Sequence, residues 1–292
     1  MHSPWILWAL LSAFMTASND AVTKRALANH DEYLVACLRL LWALPFLLGS
    51  FLFIQVPTTD KSFFLAFFTA LPLEVAATVL YVKALKLSPL SLTIPFLSLT
   101  PIFLIVVPYI ILNETISLPG LAGVLLIALG GYTLNIKETN KGFLGPFLAI
   151  TRQKGSLYMI AVALIYSVTA TLGKLAIQHS SPLFFGVAYY SALAGAMTPL
   201  ALFKNRDNIG VIPRKGAVRA SILPGFCHAA SIGAHMIAIS LTQVAYMISV
   251  KRLSLLIGVV FGYLFFKERN IKERFIGTLF MIIGFTLIVL FH

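Results

Sequence analysis

Charge is scarce in this chain of 292 residues: only 11% are Asp, Glu, Lys or Arg, against 59% that are apolar. A soluble domain carries about 25% charged and about 45–50% apolar residues. So much apolar surface cannot be buried in a water-soluble core of this size, which excludes a soluble enzyme, a DNA-binding domain and a disordered tail. Acidic residues are the scarcer kind, 10 against 22 Lys and Arg, leaving a formal net charge of +12. In a soluble protein that excess would point to nucleic acid. In a membrane protein it marks cytoplasmic loops, so no nucleic-acid partner is expected. Cysteine is nearly absent. Cys37 and Cys227 both lie in apolar runs, which excludes a disulfide framework and a zinc site. Catalytic motifs are missing too: there is no HExxH, no Walker lysine loop, no nucleophile with an adjacent base and no metal-ligand spacing. Neither a cofactor nor an enzymatic activity is expected.

What the chain does have is long apolar windows. A membrane-spanning helix needs roughly 20 apolar residues, so ten of them would occupy about 200 positions and leave short loops. The windows fall at 4–27, 33–55, 62–84, 90–112, 118–136, 156–177, 182–204, 217–240, 244–266 and 271–291. Helix is the expected state throughout, because backbone groups in lipid must be satisfied within the segment and a barrel would show alternating strands. The first window has the length of a signal peptide but lacks a basic leader. It ends in Asn19, Asp20, Lys24 and Arg25 rather than a small-residue cleavage site, and reads as the first span.

The windows repeat. A shift of 154 residues sets Glu114 on Glu268, Gly123 on Gly277, Gly130 on Gly284, Tyr109 on Tyr263 and Ala84 on Ala238. Near the start of each half a shift of 150 works instead, setting Lys24 on Lys174 and Ala13 on Ala163. Each half holds five spans, and an odd number of crossings sends the second copy in from the opposite side. The expected fold is therefore an all-α membrane protein of ten transmembrane helices arranged as two inverted five-helix repeats. The first repeat is expected at 1–137, a basic cytoplasmic linker at 138–155 and the second repeat at 156–292. Inverted repeats with a site at their interface are the architecture of secondary transporters.

Orientation follows from the basic residues. The loops after spans five, seven and nine hold 13 Lys and Arg, from Lys137 to Arg274, whereas the opposite face has Lys61 alone among clear loop positions. The positive-inside rule places the basic loops in the cytoplasm and both termini outside.

The pattern resembles the drug/metabolite transporter superfamily, specifically its ten-span EamA-type members. The resemblance rests on Lys24, Arg39, the Leu99-Thr100-Pro101 step, Asn113-Glu114 and the glycine-bearing stretch from Gly120 to Gly131. Lys174, Lys267-Glu268-Arg269, Gly277 and Gly284 repeat it in the second half. It covers the whole chain and implies a transporter of a small molecule, while leaving the substrate open. Family members move amino acids, sugars, nucleotide-sugars, phosphorylated metabolites and drugs. Many are drawn with cytoplasmic termini, the reverse of the charge count here.

Ionisable residues inside a span are costly and point to function by default. Lys251 and Arg252 sit seven and eight residues into span nine, roughly 10–12 Å below its outer end at about 1.5 Å per residue. Their first-half equivalents, Leu97 and Ser98, are neutral, so repeat packing does not require the pair. A Lys offers a mobile point charge and an Arg a planar fork suited to carboxylate or phosphate; the alternative is that both snorkel to the interface. The stretch Val250-Lys251-Arg252-Leu253-Ser254 resembles the ninth-span Lys-Arg pair of the triose-phosphate translocators, which implies a phosphate-holding role. Lys174, matched by Lys24, would also face the anion on that resemblance, or else anchor a helix end. Arg39 lines the cavity or pairs with Asp31 or Glu32. Glu74, near the middle of span three, is a candidate proton carrier or counter-ion. Its repeat partner His228, and His235 beyond it, read as helix-to-helix hydrogen-bonding groups or as proton-coupling ones. Asp20 is a further candidate, and Tyr246 a candidate cavity residue beside Tyr81, Tyr189 and Tyr190. Glu114 and Glu268, each opening a helix, are explained by the macrodipole. The prolines of span four and the glycines at 258 and 262 mark spans four and nine as candidate gates.

The expected function is thus secondary transport of a small anionic metabolite, bearing phosphate or carboxylate, by alternating access. Without a nucleotide site, exchange or facilitated diffusion would drive it. The alternative is a proton-coupled exporter of amino acids or cationic drugs that uses Glu74 and Asp20; a non-transporting scaffold would leave the mid-membrane charges unexplained. The expected setting is the plasma (inner) membrane as a multi-pass protein, with lipid and a small-molecule substrate as partners and a monomer as the simplest assembly.

Overall fold

The structure is a computed structural model, described here for residues 4–27, 32–49, 55–87, 94–136, 154–204, 215–266 and 275–291. Every regular element among the described residues is helical. The helices are α1 (Pro4–Leu27), α2 (Glu32–Gly49), α3 (Lys61–Leu87), α4 (Thr100–Leu112), α5 (Leu118–Ile136), α6 (Lys154–Gln178), α7 (Pro182–Lys204), α8 (Lys215–Ala220), α9 (Ile222–Leu241), α10 (Val244–Lys251), α11 (Ser254–Phe266) and α12 (Phe275–Phe291). A 3-10 turn at Ile94–Leu99 leads into α4. Spans four, eight and nine are each made of two consecutive pieces, which gives the ten spans. The basic loops at 137–153, 205–214 and 267–274, with Glu268, lie outside the described residues.

The exterior is apolar in the way a lipid-facing surface must be. Leu7, Phe64, Phe68, Ile110, Leu264, Phe265 and Leu290 are all exposed, an outward apolar surface that suits hydrocarbon. Five helical stretches are long and apolar enough to cross a membrane, and four shorter ones are apolar. Helix α1 is less apolar because it turns polar side chains inward. Its Thr16 shares a hydrogen bond with Ser231 of α9 at 2.8 Å, and the Ser12 hydroxyl donates to the Ser231 carbonyl at 3.2 Å. Short hydroxyl side chains hold neighbouring helices together where no hydrophobic force acts between them.

The repeat seen in sequence is present in space. Helix α4 runs from Thr100 to Leu112 and α11 from Ser254 to Phe266, the same boundaries after the shift of 154. The packing partners are exchanged in the same way: α1 lies on α9, and its repeat equivalent α6 lies on α3, the equivalent of α9. Helices α5 and α12 meet across a seam of glycines. A Cβ on Gly123 would lie 2.7 Å from the Gly284 carbonyl oxygen, and one on Gly130 would lie 2.6 Å from that of Gly277. The repeat maps Gly123 to Gly277 and Gly130 to Gly284, so each contact is the image of the other. The axis relating the halves therefore passes between α5 and α12. Only residues without side chains let two backbones come this close.

Candidate functional site

A cavity of about 260 Å³ lies between the two halves. Helix α6 supplies Tyr166, Thr169 and Gly173 to its wall, α7 supplies Phe185, Tyr189 and Tyr190, α3 supplies Glu74 and α9 supplies His235. Lys251 and Arg252 complete the lining from span nine.

Span nine is interrupted where its two cations stand. Helix α10 stops at Lys251, and α11 resumes at Ser254. Between them the chain tightens: the amides of Leu253, Leu255 and Leu256 donate to carbonyls three residues back, each at 3.0 Å. The corresponding stretch of span four is the 3-10 turn at Ile94–Leu99, so both spans narrow at one repeat position. Tightened turns inside helices mark hinges and functional sites, and half-helices at the midplane build the binding sites of secondary transporters. Lys251 closes α10, where the carbonyl end of the helix favours a cation.

The partners of the two cations differ. Arg252 donates from Nη2 to the Thr100 hydroxyl oxygen at 3.0 Å, and that hydroxyl in turn donates to the Leu97 carbonyl at 2.7 Å. The guanidinium is therefore held at one corner by the other repeat, while its Nε–H is buried without a protein partner. Lys251 Nζ lies 3.2 Å from His235 Nδ1. The ammonium can only donate, so Nδ1 accepts and His235 is neutral in this arrangement.

Carboxylates stand near. Glu74 lines the same cavity, within electrostatic range of Lys251 and beside the Thr169 hydroxyl. Asp20 lies within range of Arg39, Lys251 and Arg252. Arg39 is joined to span one by Asn19, whose amide is oriented by its neighbours: turned so that its oxygen faces Arg39, it accepts from Nη1 at 3.2 Å while its nitrogen donates to the Pro224 carbonyl at 3.1 Å. His228 meets the Tyr190 ring edge-on with centroids 5.8 Å apart.

Of the residues singled out in the sequence, Lys251, Arg252, Glu74 and His235 share the cavity, with Arg39 and Asp20 at its flank. Lys174 and Tyr246 do not line it. The Lys174 ammonium pairs with Glu114 and donates to the Thr242 carbonyl at 2.6 Å. The second Glu114 oxygen accepts from the Val244 amide at 2.8 Å. Glu114 thus caps a helix, as the macrodipole argument anticipated, but the helix is α10 rather than the one that follows it in sequence. Tyr246 places its hydroxyl 3.1 Å from the Ser117 amide, which donates to it. The Lys24 side chain, Asp31 and the Glu32 side chain lie outside the described residues.

These contacts all sit at one end of the bundle, where the ends of α4, α6 and α9 meet the start of α10. Asp60 and His179 join them there: Asp60 caps α3 by accepting from the Phe63 amide at 3.0 Å and meets His179 Nδ1 at 2.8 Å. The Phe63 amide, and then the His179 ring, hold the Asp60 carboxyl below the usual carboxylate range. Sequence reasoning missed the contribution of α6 and the role of Thr100 as the partner of Arg252. The repeat held the second signal, since Thr100 is the counterpart of Ser254, two residues beyond Arg252.

A helical bundle of two inverted halves around a charged cavity defines a multi-pass membrane transporter. A model of the EamA-like transporter family matches residues 3–136 and 153–290. The chain belongs to the EamA-like transporter family, within the drug/metabolite transporter superfamily, and is a transporter rather than an enzyme. No curated protein matches it. One solved structure, described only as the crystal structure of a protein, is similar in fold, with a TM-score of 0.79, 15% identity and both chains covered in full.

Proposed function

We propose that the protein carries a small anionic metabolite across the membrane, with the phosphate or carboxylate held by Lys251 and Arg252. The observation that carries this reading is the interruption of span nine at these two residues, with both side chains in the wall of the interior cavity. A cation pair at that depth is costly unless an anion completes it. The buried Arg252 Nε–H supplies a donor ready for that anion, as in the fork geometry by which arginine binds carboxylate and phosphate. The likeness of this stretch to the Lys-Arg pair of triose-phosphate translocators supports the same chemistry.

Alternating access follows from the two halves rocking about the α5–α12 axis, with spans four and nine bending at their tightened turns. Exchange or facilitated diffusion drives the cycle. By the positive-inside rule the basic loops, with the linker at 138–155, are cytoplasmic and the membrane is the plasma (inner) membrane. The Lys174–Glu114 contacts then close the outer face. A thermal-shift screen of the purified protein against phosphorylated metabolites, carboxylates, amino acids and cationic drugs tests the reading, since a ligand of the folded state raises its stability. Anions stabilise the wild type and lose that effect in Lys251→Ala/Arg252→Ala. A second reading, proton-coupled export of amines, is favoured by Glu74 in the same cavity wall. Stabilisation by amines alone, unchanged in the double variant, would replace the first reading by the second.

A further inference from the structure

We infer that Glu74 is held ionised by Lys251 and that the site therefore selects substrates of one net negative charge. This rests on the anion reading above and deepens it. Among the described residues, the cavity wall holds two cationic side chains, Lys251 and Arg252, and one carboxyl, Glu74, which lies within electrostatic range of Lys251. His235 adds none, because its Nδ1 accepts from the Lys251 ammonium at 3.2 Å. The tyrosines of the wall are neutral near pH 7. At the flank, Asp20 and Arg39 stand within electrostatic range of each other and add one carboxyl and one cation. Whether the flanking pair is included or not, the cluster holds one more cation than carboxylate.

Charge imbalance inside a low-dielectric bundle is expensive, and a partner of matching charge relieves it. A monoanion between Lys251 and Arg252 brings the loaded site to neutrality. A dianion leaves it one negative charge in excess beside Glu74, where the field that welcomed the first charge opposes the second. Geometry agrees with this count. The two donor groups are not equally free: one corner of the Arg252 fork is taken by Thr100, and the Lys251 ammonium is shared with His235. The remaining donors suit a single carboxylate or phosphodiester-like oxyanion. The deduced substrate class is therefore a monocarboxylate or a singly charged phosphate ester, with its apolar part against Phe185, Ile239 and Ile248 of the same wall.

The test uses matched probes on the purified protein at about pH 7.5 and constant ionic strength. Dimethyl phosphate is compared with monomethyl phosphate, which is mostly dianionic above a second pKa of about 6, and propionate is compared with succinate. Thermal stabilisation should be half-maximal at a concentration at least about tenfold lower for the monoanion of each pair. Glu74→Gln adds one net positive charge and should reverse the order in favour of the dianions, and Asp20→Asn, from the flank, should move it the same way. Equal or stronger stabilisation of the wild type by the dianions would overturn the inference, as would an unchanged order in folded Glu74→Gln. Stabilisation by neither member of either pair would instead remove the anion reading itself. The wild-type comparison decides even where a variant does not fold.

Discussion

Replacing Glu114 by Gln should destabilise the protein severely, and the size follows from what the carboxylate touches. Its two oxygens serve different elements: one pairs with the Lys174 ammonium on α6 and the other accepts from the Val244 amide at the start of α10. The side chains of Lys174 and Glu114 are only 9% and 13% exposed. Removing one partner of a buried ion pair costs about 3–5 kcal/mol, because the other charge is left without compensation. The side-chain amide introduced by Glu114→Gln would keep an oxygen for the Val244 N–H, so the loss of roughly 1 kcal/mol expected for a missing helix cap should be partly avoided. Lys174→Met should cost a similar amount, since it leaves the Glu114 carboxylate buried with only the Val244 amide beside it and takes the donor from the Thr242 carbonyl. Lys174→Met/Glu114→Gln should be more stable than the sum of the singles predicts, with a coupling of about 1–3 kcal/mol. Thermal unfolding of the purified wild type, both singles and the double variant reads this cycle. The coupling between the two positions carries the test. Additive losses, or a Glu114→Gln protein that melts with the wild type, would refute the assignment of this pair as a buried bond between helices.

Other outcomes follow from the same contacts. Gly284→Ala places a Cβ 2.6 Å from the Gly123 carbonyl oxygen and 3.0 Å from the Ile127 backbone nitrogen; neither atom can rotate away, so the α5–α12 seam must open, at about 1–3 kcal/mol of stability by thermal melting. Tyr246→Phe removes an acceptor from the Ser117 amide and should cost about 1 kcal/mol without altering ligand affinity. Asp60 is held below its ordinary pKa, so its contribution to stability is present above about pH 4 and is lost as pH falls through the lowered value; Asp60→Asn should abolish that part of the acid sensitivity in melting curves. Thr100→Val frees the Arg252 guanidinium from its one described hydroxyl partner and should weaken anion binding by about three- to tenfold in the thermal-shift titration.

Much of the fold was legible because the chain repeats itself and because lipid permits few backbones. Positions 100 and 254 begin matching helices, and the glycines aligned at one offset turned out to touch one another across α5 and α12. The Lys251–Arg252 pair stood out since charge is conspicuous in an apolar run. What periodicity does not encode is partner choice between distant segments. Lys174 finds Glu114 from 60 residues away and Thr242 from 68, so its place at the end of the bundle rather than in the cavity was invisible. Tyr246 likewise finds Ser117, 129 residues back. The tightening of span nine at Lys251 itself was hidden too, as the sequence there has no proline; the glycines at 258 and 262 and the proline-marked counterpart in span four hinted at a bend without placing it.

In the proposed function, Lys251 and Arg252 hold the transported anion. Uptake of the best-stabilising anion into proteoliposomes reads that role, wild type against Lys251→Ala/Arg252→Ala, with Tyr246→Phe as a folded variant outside the cavity wall. Uptake by the double variant should fall to that of protein-free liposomes while Tyr246→Phe transports as the wild type does. Wild-type uptake by a correctly folded double variant would contradict the assignment.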